Sequence, residues 1–184
     1  AAVAMTTGRA HAIADRRTGI GCDQLILLEP SQVADVKMRI FNADGGEVEA
    51  CGNATRCIAT LLNKPAAIET LGGILQTIPG DSGATVTLLP PAFDWDLIPL
   101  AMPMDTRDMP VNWEELARPA AINVGNPHIV FFVPDCDAVD LEMLGPIIEH
   151  DPLFPERVNV NVASLVGENH LKLRVWERGV GLTR

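Results

Sequence analysis

Between Val36 and Lys64 the spacing of apolar residues changes from two to about 3.6 across one glycine-rich turn. VKMRIFN sets Val36, Met38 and Ile40 on one side of an extended chain, which predicts a half-buried strand. Asp44-Gly45-Gly46 then gives a strong turn signal. Beyond it, Ala54, Cys57, Ile58, Leu61 and Leu62 fall at i, i+3, i+4, i+7 and i+8. That spacing predicts a helix with one buried face, Cys57 in the core, ending before Pro65. A strand feeding an amphipathic helix must bury both against a shared core, so the chain mixes sheet and helix.

The rest of the chain repeats this grammar. QLILLEP (residues 24–30) reads as a short apolar strand closed by a turn. ILQTIPG and ATVTLLP are strand-like runs around Asp81-Ser82-Gly83, as in a hairpin. Pro90, Pro91, Pro99, Pro103 and Pro110 argue against long regular elements in that stretch. A boundary there divides the chain into domains 1–93 and 94–184. AAINVGNPH and IVFFVP give a strand, a turn and a strand, with Asn126 and His128 at the first strand's end. DLEMLGPIIEH is helical, interrupted or restarted at Pro146. VNVNVASLV and HLKLRVWE alternate and are expected as antiparallel neighbours, after which Gly179 and Gly181 begin a loop. This order is not that of a doubly wound parallel sheet.

Charge and composition narrow the function. Fourteen Lys and Arg against 24 Asp and Glu give a formal net charge of -10, without the basic face that nucleic acid requires. Three Trp, five Phe and no Tyr offer no stacking platform for bases. No apolar run reaches about 18 residues, so no membrane span is expected, and the first residues do not read as a secretory signal. The four cysteines, Cys22, Cys51, Cys57 and Cys136, form no CxxC and no zinc spacing with histidine. They are expected as free thiols in a reducing compartment, with cytoplasm the default. GxGxxG, GxxxxGK[ST] and GxSxG are absent from the sequence.

The densest polar cluster is FNADGGEVEACGNATRC (residues 41–57). Cys51 stands just ahead of the predicted helix, where the first amides and the helix dipole favour a thiolate and hold a carboxylate. It is a candidate base or nucleophile, or else a small residue buried beside a cap. Gly52 permits close backbone approach. Asn126 has both donors and an acceptor for an amino-acid headgroup, and His128 is a base, an orienting partner or a satisfied hydrogen bond. Asn159 sits among β-branched residues and Asn161 shares its face; the alternative for both is a solvated edge. Glu177 and Arg178 end a strand, and Arg178 has the fork geometry to bind a carboxylate. Cys22 and Cys136 have no supporting pattern and read as structural.

These residues come together as a resemblance. ADRRTGIGCDQLILLEP, FNADGGEVEACGNATRC, GNPH, FPERVNVNV and RVWERG, in this order from Ala14 to Gly179, resemble the diaminopimelate epimerases. The resemblance implies a fold of α/β class, α+β type. Two similar lobes each wrap mainly antiparallel strands around a central helix, with the active site in the cleft between them. It implies inversion of one α-carbon of LL-2,6-diaminopimelate to the meso isomer, without pyridoxal phosphate or metal, by two cysteines on opposite faces. Cys51 matches the first cysteine, with Gly52 and Asn53 at the helix start. Asn42, Asn126 and Asn159 match amide residues that bind the substrate's distal groups, and Gln24 matches a polar cleft position. His128 and Glu177 are similar to residues supporting the reacting centre, and Arg178 to the arginine on the distal carboxylate.

The sequence covers the family's middle. The family opens with a strand and a GNDF-like segment that precede Ala1, and it continues past Arg184 into a CGxG-type segment with the second cysteine and the second lobe's helix. The second lobe is therefore expected to be incomplete here, and these 184 residues alone are expected not to epimerise efficiently. A small-molecule substrate and a homodimer are the implied partners, with no nucleic acid and no membrane. The rival readings are a racemase or epimerase of another amino acid such as a proline derivative, a cysteine hydrolase built on Cys51 and His128, and a non-catalytic binding remnant.

Overall fold

The computed structural model describes residues 4–49 and 51–183. The chain divides into two compact units, Ala1–Pro90 and Pro91–Arg184. In the first unit the elements run α1 (Thr7–Ala14), β1 (Gln24–Glu29), β2 (Val36–Asn42), β3 (Glu47–Val48), α2 (Gly52–Leu62), β4 (Ala66–Thr70), β5 (Gly73–Gly80) and β6 (Gly83–Thr87). The second holds β7 (Asn112–Trp113), β8 (Leu116–Ala117), β9 (Ala120–Asn123), β10 (Pro127–Phe132), α3 (Leu141–Glu149), β11 (Asn159–Gly167), β12 (His170–Glu177) and β13 (Gly181–Leu182). This is an α+β protein of two sheet-rich lobes.

The first sheet has the order β1-β2-β4-β5-β6, with β3 also paired to β2. All its pairs are antiparallel except β2 with β4, which α2 joins as a crossover. Alternation in β2 buries Met38 and Ile40, and these meet Ile58 of α2 and Ile68 of β4 in the core. The buried face of α2 is turned from the expected one. Thr55, Ile58 and Ala59 line it, whereas Leu61 is 72% exposed. Cys57, expected in the core, is exposed. Thr55 tolerates burial because its hydroxyl donates to the Cys51 carbonyl at 2.8 Å. Ala59 adds no bulk that would hold the helix off its neighbours.

The second sheet has the order β13-β12-β11-β10-β9. Only β10 and β11 run parallel, and α3 lies in the connection between them. One face, carrying Ile129, Phe131, Val160 and Val162, packs with Leu141, Leu144 and Ile148 of α3. The first six residues of β11 are all buried, so strict alternation of exposure fails there. Pro146 does not interrupt α3. The carbonyl it leaves without an intrahelical donor belongs to exposed Glu142, while Leu144, Gly145 and Ile148 hold the opposite side of the helix in the core. His128 lies inside β10 rather than at the end of the preceding strand. After Gly179 the chain does not stay a loop: Gly181–Leu182 pairs back onto Trp176 and Glu177.

Candidate active site

In the first unit the candidate residues descend from one strand pairing. Gln24 opens β1 directly opposite Asn42, which closes β2. The Gln24 Nε2 donates to Asn42 Oδ1 at 3.0 Å, and Asn42 is buried. The chain then reverses: the Gly45 amide donates to the Asn42 carbonyl at 2.9 Å, and the Asn42 amide to the Gly46 carbonyl at 2.9 Å. Gly45 has φ +84, and a Cβ there would lie 2.2 Å from the Thr7 carbonyl oxygen. Only glycine lets the turn sit this close under α1. His11 of α1 adds a bond from Nδ1 to the Ala43 carbonyl at 2.9 Å.

Cys51 is the N-cap of α2, with an extended backbone (φ -147, ψ 109). Its Sγ accepts from the Ala54 amide at 3.4 Å, and its carbonyl accepts from the Thr55 amide at 2.9 Å. The sulfur therefore occupies the place where a cap oxygen normally meets the helix's unbonded amides. Gly52 is exposed, and a Cβ on it would meet nothing within 4 Å. Asn53, also exposed, accepts from Arg56 through Oδ1.

In the second unit Asn126, His128, Asn159 and Arg178 form one connected network. The β9–β10 turn is held by the Gly125 amide, which donates to Asn123 Oδ1 at 2.8 Å. Asn126 Oδ1 lies 2.9 Å from His128 Nε2. His128 stands opposite Asn159 in the parallel β10–β11 register. Asn159 is buried, not solvated: its Nδ2 donates to the Pro127 carbonyl at 2.8 Å and its Oδ1 accepts the Arg178 amide at 3.0 Å. Arg178 is 9% exposed and its Nη1 donates to the Glu156 carbonyl at 3.1 Å. Burial, helped by the positive charge of Arg178, holds His128 below the usual 6.5. The ring is thus neutral at physiological pH. Glu177 ends β12, half-buried, opposite Gly181.

Two residues beyond the expected site set complete this network. Asn161 is buried and reaches His128 Nδ1 with its Nδ2 at 3.1 Å. Glu149, 2% exposed at the end of α3, accepts the Trp176 indole N–H at 2.7 Å and the Gly179 amide at 2.9 Å. It fixes the turn that carries Glu177 and Arg178. The sequence signal for Asn161 was its shared face with Asn159. For Glu149 the signal was a tryptophan whose indole needs an acceptor when buried. Cys136 is fully buried, with its amide on Ser164 Oγ at 2.6 Å. Asp135, Cys136 and Asp137 approach closely enough to share a cation, but Asp137 is ion-paired with Lys172.

No helix among the described residues is long and apolar enough to cross a membrane. The family model described as diaminopimelate epimerase matches residues 2–89 and 120–184. A diaminopimelate epimerase of Sphingopyxis alaskensis is 78% identical over the whole chain, which spans 69% of that protein. One from Rhizorhabdus wittichii is 66% identical, with 67% of its length covered, and one from Zymomonas mobilis 55%, with 68% covered. Among solved structures, a probable proline racemase from Agrobacterium radiobacter gives a TM-score of 0.65 at 13% identity, over 98% of this chain and 65% of that one. A hydroxyproline epimerase from Agrobacterium vitis gives 0.64 at 15% identity, over 97% and 63%. At these identities the two structures speak for the fold alone.

Proposed function

The chain belongs to the diaminopimelate epimerase family, and from that premise we propose that Cys51 is the base that removes the α-proton in the conversion of LL- to meso-2,6-diaminopimelate. The observation that carries the reading is the Cys51 sulfur at the N-terminus of α2, accepting the Ala54 amide. Negative charge on sulfur is stabilised there by that N–H and by the helix dipole, by roughly 0.3–1 kcal/mol. The thiolate takes the proton from the α-carbon and becomes a thiol, and the electron pair left behind spreads into the adjacent carboxylate. A second carrier then returns a proton to the opposite face. In the family that carrier is a second cysteine. The chain spans about two thirds of the length of its curated relatives, and in this sequence no cysteine follows Cys136.

The other candidates receive roles by the same reading. Arg178 and the carboxamides of Asn42, Asn126 and Asn159 hold the distal carboxylate and ammonium groups. Gln24 orients Asn42 through its 3.0 Å bond. Gly52 and Asn53 offer first-turn amides of α2 to the charge that builds on the reacting carboxylate. His128 and Glu177 support the reacting centre. A thiolate base requires reduced cysteine, which the cytoplasm maintains. The homodimer implied by the resemblance is read by light scattering on the eluting protein.

The test is α-proton exchange. The protein is incubated in deuterium oxide with LL-diaminopimelate and the α-proton signal is followed by NMR. Replacing Cys51 by Ala should cut the exchange rate by about 10²–10⁴, the usual contribution of a positioned acid or base. Undiminished exchange in Cys51→Ala would remove the sulfur from the mechanism.

A further inference from the structure

We propose that Asn161 is a positioning residue: it sets the tautomer of His128 and, through the ring, the direction of the Asn126 carboxamide. The constraint starts at the backbone. Asn161 Nδ2 lies 2.9 Å from the Ile129 carbonyl oxygen and 3.3 Å from that of Asn159. Carbonyl oxygens only accept, so the end of the carboxamide facing them is its NH2 and not its oxygen. The same nitrogen lies 3.1 Å from His128 Nδ1. Its two hydrogens serve the two nearer acceptors, the Ile129 carbonyl and Nδ1, with the Asn159 carbonyl a longer, shared contact. An amide nitrogen donates and does not accept, so Nδ1 meets it with a lone pair.

A neutral imidazole with a lone pair on Nδ1 carries its proton on Nε2. Nε2 is 2.9 Å from Asn126 Oδ1, which accepts that proton's bond. The oxygen of Asn126 is thereby fixed toward the ring, and its NH2 is turned away from it. Two rigid acceptors on β10 and β11 thus determine the orientation of a loop side chain, through one ring. In the epimerase reading, on which only this last step rests, Asn126 meets its ligand as a donor and suits a carboxylate oxygen rather than an ammonium group. Asn161 itself touches no substrate in this scheme.

The test reads the ring directly and needs no turnover, so it stands or falls apart from the epimerase reading. Long-range nitrogen–proton correlation on the 15N-labelled protein near neutral pH shows which ring nitrogen carries the proton. The His128 signals are identified by their loss in His128→Gln. The expected result is Nε2–H with bare Nδ1, together with a scalar coupling across the hydrogen bond from Asn161 Nδ2 to His128 Nδ1. In Asn161→Ala that coupling disappears and the ring moves from one tautomer to a mixture. A wild-type ring protonated on Nδ1, or on both nitrogens, overturns the proposal. So does a folded Asn161→Ala protein that keeps pure Nε2–H. Should Asn161→Ala not fold, the wild-type coupling decides: its presence supports the relay and its absence overturns it.

Discussion

Replacing Gly145 by Ala sets two effects of opposite sign against each other. In a helix interior Gly→Ala is worth about 0.8–1.0 kcal/mol in favour of folding. At this position of α3, however, the new Cβ would lie 2.4 Å from Trp176 Cδ2, 2.5 Å from Cγ and 2.8 Å from Cε3, where ordinary contact begins near 3.4 Å. Relief requires the indole to retreat by about 1 Å (3.4 less 2.4), and its Nε1 is tied to Glu149 Oε2 at 2.7 Å. That retreat stretches the bond beyond hydrogen-bond reach. Overpacking costs roughly 1–3 kcal/mol and a lost bond to a charged group about 1.5–3; with the helix gain subtracted, a net loss of about 1.5–5 kcal/mol is expected. All three tryptophans, Trp95, Trp113 and Trp176, lie in the second unit, so urea unfolding followed by tryptophan fluorescence reads that unit alone. In a Trp176→Leu background the same substitution should become neutral or favourable. A Gly145→Ala protein as stable as the wild type would refute the steric reasoning, because propensity would then have won.

Glu149→Gln replaces one acceptor oxygen by a donor between the Trp176 indole and the Gly179 amide, so at least one of them loses its partner. A loss of about 1–3 kcal/mol is expected by the same fluorescence assay, and an unchanged midpoint would contradict it. Gly45→Ala meets the Thr7 carbonyl and a φ of +84, and should speed hydrogen exchange of the β2 amides beside the turn. His128 is held below 6.5 by burial and by Arg178, so in acid the unfolded chain binds a proton that the folded chain resists. Stability therefore rises with pH in that window; it is present in full above about 6.5 and is lost as pH falls toward the lower folded value. Comparing urea midpoints on either side of that window, the wild type should lose more stability in acid than His128→Gln, and equal slopes would refute the assignment. Under native conditions iodoacetamide should label exposed Cys57 readily and fully buried Cys136 only on unfolding, as read by peptide mass mapping.

Where pattern and turn chemistry are local, the fold could be read from residues alone. β2 announces itself by alternation, the β5–β6 pair by Asp81-Ser82, and α2 by its periodic run after Cys51. The cap position of Cys51 was legible for the same reason. What could not be read depends on docking. TGRAHAIA has no apolar stripe, and α1 is held instead by the Thr6 cap and by its seat on the glycine turn at Gly45. The face of α2 is displaced because a threonine with a satisfied hydroxyl can be buried while a cysteine and a leucine stay outside.

The polar network of the second unit depends on docking even more. Asn161 and His128 are 33 residues apart, and Glu149 is 30 residues from Gly179. An alternating N-V-N run says that two asparagines share a face, but burial of that face turns the statement into a demand. Each carboxamide must find partners, since an unsatisfied buried amide costs about 1–3 kcal/mol. The side chains of adjacent residues cannot meet that demand, because on a strand they point the other way. Most partners come from β10 in parallel register, where His128 faces Asn159 and Val130 faces Asn161, and the Arg178 amide and Asn159 carbonyl supply the others. That register depends on α3, which carries the chain from β10 back to β11 and locks against Trp176 through Gly145 and Glu149. Loosening α3 should therefore disturb the tautomer of His128 as well as the stability of the unit. Gly145→Ala, examined by the same nitrogen–proton correlation, should broaden or split the His128 ring signals. A single unperturbed Nε2–H ring in that variant would show that the strand register holds without the helix.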